Sequence, residues 1–520
     1  MVGYGGLLTT SRVRSSHPAK VAFPKVPLNN KVDELVFNRL RALNIIPSEL
    51  CTDEEFLRRV YLDVNGVLPT AEEARAFLAD SNPNKRSELI DRLLDRPEYA
   101  DFYAVKWGDI LQINRDIPAR LQDKGMWAYY RWLWNALDSN MPMDQFVREI
   151  LTAKGSAYRN GPANFFRVGE GPQGMAETAS TVFLGVRLDC AHCHNHPFEQ
   201  FTLQDNLGMA AFFARVRLKR SAEQDEEIIY LADSGSVRHP ETKKPVLPKF
   251  LGGRELKPEE LQGDLRAILA DWIVSPDNPY FARNMANRVW AWLLGRGIIH
   301  EPDDFRSTNP ASNPELLDYL AQEFIQSGYD LKGLFRLILH SRTYQLSAVP
   351  NEWNRHDHIY GSHYPVKRLT AEQLATAISD VTGVPEKYPG LPLGTRATQL
   401  PDVSYRSEFL ELFGRPKRAT PVESERTCDT HIGQSLQMIS SDYIARKLRA
   451  NNGLAARLAA SQMPMETVIE ELYLTTLSRY PSDAERQAIL ATPIDAKQRR
   501  EKIEDLLWVL MNTKEFLFNH

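Results

Sequence analysis

Apolar residues recur every three or four positions between residues 32 and 114, which predicts a series of amphipathic helices. The clearest runs are 32–40, 56–61 and 89–94. Thr52 or Asp53 can cap the second of these helices, because their side-chain oxygens accept hydrogen bonds from free N–H groups. Gly66 and Pro69 are expected to end it. The first part of the chain is therefore predicted to be a helical array.

The apolar pattern changes between residues 221 and 253. Four β-prone residues at 228–231 are followed by prolines and then by two glycines, which predicts a small β-hairpin and a domain boundary. Helical spacing resumes from 264 and again from Ile432 to the end. Residues 350–364 are predicted to form a surface loop, and 388–421, rich in Pro and Gly, an irregular surface segment.

These elements predict a mainly α fold, in which two packed helical domains are separated by a small β-hairpin insertion. The domains are expected at 30–220 and 263–520, with the insertion or linker at 221–262. Residues 1–29 resemble a last strand and a linker from an upstream domain, so we expect the chain to be a fragment of a longer protein. A disordered cytoplasmic terminus is the alternative interpretation.

Composition is that of a folded, soluble protein, since 43% of residues are hydrophobic and 25% are charged. The formal net charge is only −4, which disfavours a nucleic-acid partner. No apolar run is long enough to span a membrane, and the first residues lack the apolar segment of a secretory signal.

The sharpest chemical signal is a single Cys-x-x-Cys-His motif formed by Cys190, Cys193 and His194. The spacing places two thiols about one turn apart, where both can bond to one porphyrin while the histidine ligates the iron. The motif predicts covalent attachment of one haem c. A zinc or other thiolate site, and an unligated structural element, are the alternatives.

Further ligands could come from outside the motif. Cys428 and His431 form a Cys-x-x-His pair that could complete a zinc site, although Cys428 is more typical of a buried apolar residue. Met209 is the nearest candidate for a sixth haem ligand, but it shares a helical face with apolar neighbours and is better explained as core. His196 is expected to hydrogen-bond within the loop, with Glu199 or Asp205 nearby.

No catalytic residue can be singled out, so enzymatic activity is left open. Asp303 and Asp304 could be imagined as a carboxylate pair, but we expect them to be a solvated helix-end or loop feature. The remaining cysteine, Cys51, lies beside a predicted helix start and is expected to pack in the interior.

Several motifs together resemble a planctomycete cytochrome-c-like domain family of unknown function. They are LDCAHCHNHPFE at 188–199, AAFF at 210–213, and FLRRVYLD at 56–63 with LPT at 68–70. The second half is similar to the planctomycete-specific domain that habitually follows it. Its matching motifs are NPYFAR at 278–283, NRVW at 287–290, GRG at 295–297, DDF at 303–305, NPELL at 313–317 and SRTY at 341–344.

The resemblance implies an extracytoplasmic protein, associated with sulfatase-like neighbours and with polysaccharide breakdown. The chain departs from the family at 422–426, where VESER stands in place of two cysteines followed by Glu-Arg. Any thiol or metal role for that segment is therefore in doubt unless Cys428 substitutes.

Motif and resemblance lead to one functional hypothesis, an exported, periplasmic redox or electron-transfer accessory protein with a single c-type haem. Its partners would be a redox protein, a sulfatase-like neighbour or a polysaccharide. The alternative hypothesis is a non-enzymatic binding or scaffold protein, in which the Cys/His loop holds a structural zinc ion or no ligand.

Overall fold

A computed structural model describes residues 22–116, 120–196, 200–427, 429–491 and 498–520, together with the backbone of two short strands at 2–4 and 7–9. Helices dominate the described residues and the strands form only small sheets. The predicted mainly α fold class is confirmed.

The first half of the chain consists of helices joined by short turns. Its helices are α1 (Lys31–Leu43), α2 (Asp53–Asn65), α3 (Ala71–Ala79), α4 (Lys85–Leu94), α5 (Pro97–Ile110), α6 (Gln122–Asp138), α7 (Met143–Leu151), α8 (Phe165–Val168), α9 (Gly171–Ala179) and α10 (Leu203–Ala211). The predicted signals at α2 are confirmed, because Thr52 caps it in a capping box with Glu55 and Gly66 ends it at φ 69°. A wide helical turn, Ser180–Leu184, extends α9.

The second half is also helical. Its helices are α11 (Leu265–Ile273), α12 (Phe281–Leu294), α13 (Pro314–Gln326), α14 (Leu331–Leu339), α15 (Ala371–Thr382), α16 (Glu408–Leu412), α17 (Ile432–Ser440), α18 (Asp442–Leu448), α19 (Leu454–Ala460), α20 (Met465–Leu477), α21 (Asp483–Leu490), α22 (Arg499–Met511) and α23 (Lys514–Leu517). Short 3₁₀ turns lie at Gly161–Asn164, Asp189–Ala191, Pro258–Glu260, Ala397–Gln399 and Glu423–Glu425.

All strand pairs are antiparallel. The strands are β1 (Val2–Tyr4), β2 (Leu7–Thr9), β3 (Gly155–Ser156), β4 (Val216–Arg220), β5 (Glu227–Leu231), β6 (Val237–Arg238), β7 (Pro245–Val246), β8 (Lys367–Arg368) and β9 (Phe518–Asn519). The pairs are β1–β2, β4–β5, β3–β5, β6–β7 and β8–β9. The predicted hairpin is β4–β5, in which Val216 lies opposite Leu231, so its first strand begins before residue 221.

Two hydrophobic cores organise the helices. The larger core takes buried side chains from α1–α10 and also from α11–α14, so helices on both sides of the β insertion share it. Phe250 of the insertion stacks between Phe212 and Trp272, with ring centroids 5.4 and 5.0 Å apart. The second core is built by α15–α23 and also takes in Leu62 and Leu68.

Two segments predicted to lie on the surface are partly buried instead. Tyr364 and Asn354 are almost fully buried within the 350–364 segment. In the 388–421 segment, Tyr388, Leu400 and Phe409 enter the second core. The surface prediction was wrong there, because isolated aromatic side chains can fill a core from irregular backbone without producing a period.

Helix α2 ties the two cores together through buried charges. Arg58 donates to the carbonyl oxygens of Thr476 and Phe516 at 3.0 and 2.8 Å. Arg59 donates to those of Tyr344 and Leu346 at 2.7 and 2.8 Å. Each guanidinium therefore satisfies backbone acceptors from a segment far along the chain.

Asp63, one turn further along α2, accepts four hydrogen bonds from distant residues. The donors are the hydroxyls of Tyr344 and Tyr364, at 2.9 and 2.7 Å, the Lys367 ammonium at 2.7 Å and the Asn519 amide at 2.9 Å. The carboxylate thus holds together the end of the first core, strand β8 and strand β9.

Replacing Asp63→Ala should destabilise the fold by about 3–5 kcal/mol, because the substitution removes the carboxylate partner of the largely buried Lys367 and the acceptor of two buried tyrosine hydroxyls. Urea titration followed by circular dichroism measures this loss. Asp91→Ala is the control, since Asp91 forms a half-exposed ion pair with Arg336, and it should cost less than about 1 kcal/mol. Equal losses in the two variants would contradict the assigned role of Asp63.

Candidate functional site

The Cys-x-x-Cys-His motif forms an exposed loop between the helical turn that follows α9 and the start of α10. Cys190 lies in the 3₁₀ turn Asp189–Ala191, and Cys193 and His194 come after His192, which ends that turn. Both thiols are free and exposed, and His194 is exposed as well. Ala191 is fully buried, and Leu188, just before the motif, packs in the larger core. The two thiols and the imidazole are therefore exposed to solvent, while the backbone that carries them is anchored by buried neighbours.

A backbone hydrogen bond orients the imidazole of His194. Its Nδ1 atom lies 2.7 Å from the carbonyl oxygen of Asn195. Because a carbonyl only accepts, Nδ1 carries the proton, and in the neutral ring Nε2 has the free lone pair. A histidine that ligates a metal through Nε2 commonly makes this second hydrogen bond.

A polar network holds the loop against α9 and α10. The fully buried Asn206 donates to a carboxylate oxygen of Glu177 at 2.8 Å and to the carbonyl oxygen of Leu188 at 3.3 Å. The same Glu177 oxygen lies 2.6 Å from Nδ1 of His192. Gln173 donates to Asn206 at 2.9 Å and to the backbone of His192 at 3.2 Å. The side chains of these four residues thus hold the backbone between Leu188 and His192, next to both cysteines.

The far end of the loop is fixed at the start of α10. Thr202 caps this helix in the predicted capping box with Asp205, and Lys249 lies 2.6 Å from the Asp205 carboxylate. Although burial opposes ionisation, Lys249 and Thr202 together lower the pKa of Asp205. The backbone N–H of His196 donates to the carbonyl oxygen of Phe201 at 3.0 Å, while Glu199 lies outside the described residues.

Of the other candidate ligands, one is buried in the core, one is exposed before α17 and one lies outside the described residues. Met209 is fully buried in the larger core. His431 is exposed just before α17, and Cys428 is outside the described residues. In the part of the chain that the structure describes, no three His, Cys, Asp or Glu side chains are grouped so as to hold a metal ion. The zinc set that includes Cys428 stays a prediction.

Cys51 is buried, as its position beside a helix start predicts. Burial raises the pKa of its thiol, even though Arg59 and Arg86 lie close enough to oppose the shift. Among the three described cysteines, only the two in the loop are exposed.

Asp303 is fully buried, so the expectation of a solvated acid was wrong for this residue. Its carboxylate pairs with Arg187, three residues before Cys190, and accepts a hydrogen bond from the backbone N–H of Glu423 at 2.7 Å. The Glu423 side chain pairs in turn with the buried Arg288 at 2.7 Å. These contacts join the start of the motif loop to the second half of the chain.

The segment at 422–426 continues into a second buried network, which sequence reasoning missed. Arg426 pairs with Asp109 and Glu372, each at 2.6 Å, and Arg418 pairs with Asp109 at 2.9 Å. Burial alone would lower the pKa of Arg426, but the two carboxylates raise it above its ordinary value. Arg426 of the VESER motif therefore has a structural role: it joins α5 to α15 through ion pairs with Asp109 and Glu372.

Fold and loop define a mainly helical protein that displays one Cys-x-x-Cys-His loop on a rigid base. Residues 31–218 match a family model described as PSCyt2, protein of unknown function (DUF1549). Residues 265–492 match a second model, described as PSD1, protein of unknown function (DUF1553). The chain thus carries the two matches in tandem. No curated protein and no solved structure matches it.

Among the described residues, no helix has both the length and the apolar character needed to cross a bilayer.

Thiol reactivity should separate the cysteines in protein that carries no cofactor. Cys190 and Cys193 are exposed and should be alkylated rapidly by iodoacetamide, whereas Cys51 is buried with a raised pKa and should react only after unfolding. Peptide mass spectrometry of time points, with a urea-unfolded sample as the control, measures each site separately. Equal rates for Cys51 and Cys190 in the folded protein would contradict the arrangement.

Replacing Asn206→Ala should loosen the loop, because it removes the hydrogen bonds to Glu177 and Leu188 and leaves their oxygens with fewer donors. We expect a loss of about 1–3 kcal/mol in unfolding free energy and faster hydrogen exchange in peptides covering 188–196. Asn160→Ala, which removes an amide hydrogen bond to Lys154 outside the loop, is the matched control. Unchanged exchange in 188–196 would show that Asn206 does not hold the loop.

Proposed function

We propose that the protein is an exported redox or electron-transfer accessory protein that carries one c-type haem. Cys190 and Cys193 would form the two thioether bonds, and Nε2 of His194 would ligate the iron. One observation supports this most directly: the two thiols are free and exposed, and the histidine that follows them donates from Nδ1 to a carbonyl.

The loop fits the demands of covalent attachment. Both sulfurs must be reduced and reachable, and exposed free thiols in adjacent turns of backbone meet this requirement. Axial ligation needs a neutral imidazole with a lone pair on one nitrogen, and the hydrogen bond to Asn195 leaves that lone pair on Nε2. When bound, a haem supplies one-electron transfer. The chain's own contribution would be to hold the group at the surface, where a redox partner can approach it.

A structural zinc site is the weaker candidate, because tetrahedral zinc needs four nitrogen, oxygen or sulfur ligands already close together. Within the described ranges no three suitable side chains form such a group. Haem attachment needs only the three residues of one loop.

A c-type haem also bears on the cellular compartment of the protein. A covalently attached haem is typical of an exported protein, so we place the protein in the periplasm or another extracytoplasmic space. From the family resemblance we also propose that its partner is a redox protein, a sulfatase-like neighbour or a polysaccharide, which would link the protein to polysaccharide breakdown.

The test uses the full chain, secreted by a host with active cytochrome c maturation. Wild-type protein should show a Soret band, haem peroxidase staining after denaturing electrophoresis, and about one iron per chain. Cys190→Ala/Cys193→Ala should lose all three signals, while Cys51→Ala should keep them. His194→Ala should lose haem or change its spectrum, whereas His192→Ala, which removes one loop contact with Glu177 but no proposed ligand, should still carry the haem.

A colourless wild-type protein from that host would overturn the proposal. About one zinc per chain, with loss of helicity on chelation, would instead establish the scaffold hypothesis.

A further inference from the structure

We propose that a cavity formed by the second half of the chain, away from the motif loop in sequence, binds a small organic molecule through an oxyanion group such as a phosphate, sulfate or carboxylate. The cavity has a volume of about 530 Å³ and lies between the end of α12, the loop that follows it and the 348–366 segment. That size is typical of small-molecule sites.

The polar lining of this cavity consists mainly of nitrogen donors. Two guanidinium groups and three imidazoles contribute to it: Arg296, His300, Arg355, His358 and His363. Planar guanidinium groups recognise oxyanions through paired hydrogen bonds, and imidazole N–H groups can add to them. Two guanidinium charges in one cavity favour an anionic group over a cation.

Asp357 is the one carboxylate in the lining, and the loop's own backbone uses both of its oxygens. One oxygen accepts from the N–H groups of Ile359 and Tyr360 at 3.0 and 2.9 Å, and the other from that of Ser362 at 3.1 Å. The aspartate therefore shapes the loop, and three peptide donors already offset its charge.

Polar groups remain available to a ligand. Nδ1 of His300 is buried and has no hydrogen-bond partner within the described residues. Its Nε2 lies 3.4 Å from the Glu301 carboxylate, so in the neutral ring Nδ1 offers a lone pair to a hydroxyl of the ligand. Arg355 is exposed and forms no ion pair with a described carboxylate. A buried ring nitrogen without a partner is costly unless a ligand or water satisfies it.

The three histidines do not form a metal centre, because the described residues contain no group of three side chains arranged to hold a metal ion. Apolar side chains complete the wall, among them Trp290, Leu294, Ala348 and Ile359. A ligand that fits both the basic lining and the apolar wall has an oxyanion at one end and a compact apolar or sugar-like body at the other.

Isothermal titration calorimetry at low ionic strength tests the site on the full chain. The probes are inorganic phosphate, sulfate, phenyl phosphate, phenyl sulfate and benzoate. At least one should bind with a stoichiometry of one, and the aryl esters should bind more tightly than the inorganic ions because of the apolar wall. The ranking of the three aryl probes identifies the oxyanion. Added salt should weaken binding.

Arg355→Ala should weaken binding of the best probe about tenfold or more, since it removes a charge-assisted contact. Arg406→Ala is the control: Arg406 is also exposed but does not line the cavity, and its loss should leave the affinity unchanged. Both substitutions are at the surface, and circular dichroism checks that each variant is folded.

Two results would overturn this proposal: no saturable binding of any probe at millimolar concentration, or equal effects of Arg355→Ala and Arg406→Ala. The measurement is repeated on Cys190→Ala/Cys193→Ala, where binding should persist. The anion site and the haem proposal therefore stand or fall separately.

Discussion

The carboxylate of Asp63 is the point at which four separate parts of the chain meet. Helix α2 places it beside the hydroxyls of Tyr344 and Tyr364, while Lys367 and Asn519 reach it from β8 and β9. A buried charge without partners costs several kcal/mol, so any arrangement that leaves one of these segments elsewhere is heavily disfavoured. With Arg58 and Arg59 on the same helix, this carboxylate fixes how the two cores sit against each other.

Local signals in the sequence predicted local structure well. The cap at Thr52, the end of α2 at Gly66 and the strand at 228–231 were all identified, because each depends on a few neighbouring residues. The burial of Arg58, Arg59 and Asp303 could not be predicted that way. Helical periodicity assigns charged residues to the solvent side, whereas here they satisfy backbone and side-chain partners that lie far away in sequence.

The motif loop shows the same contrast between local signals and contacts made by residues far apart in sequence. Its two cysteines and the histidine lie within residues 190–194 and could be recognised from spacing alone, but Glu177 and Asn206, which hold the loop, belong to two different helices. Nothing in the pattern of either helix marks those residues as partners. The cavity beside α12 shows the same limit, since Arg296 and Arg355 come together only through the fold.

The motif side chains are exposed, whereas the backbone that carries them is held by hydrogen bonds to neighbouring helices. Arg187 and Leu188, just before the cysteines, are already held by Asp303 and Asn206. The entropic cost of ordering this backbone is therefore already met when the chain folds. The binding energy of a cofactor would not have to offset that cost. Because Asp303 also binds the backbone of Glu423, the position of the loop depends on the second half of the chain. The tandem arrangement of the two matched regions thus has a physical reason: the second region completes the support on which the motif of the first one stands.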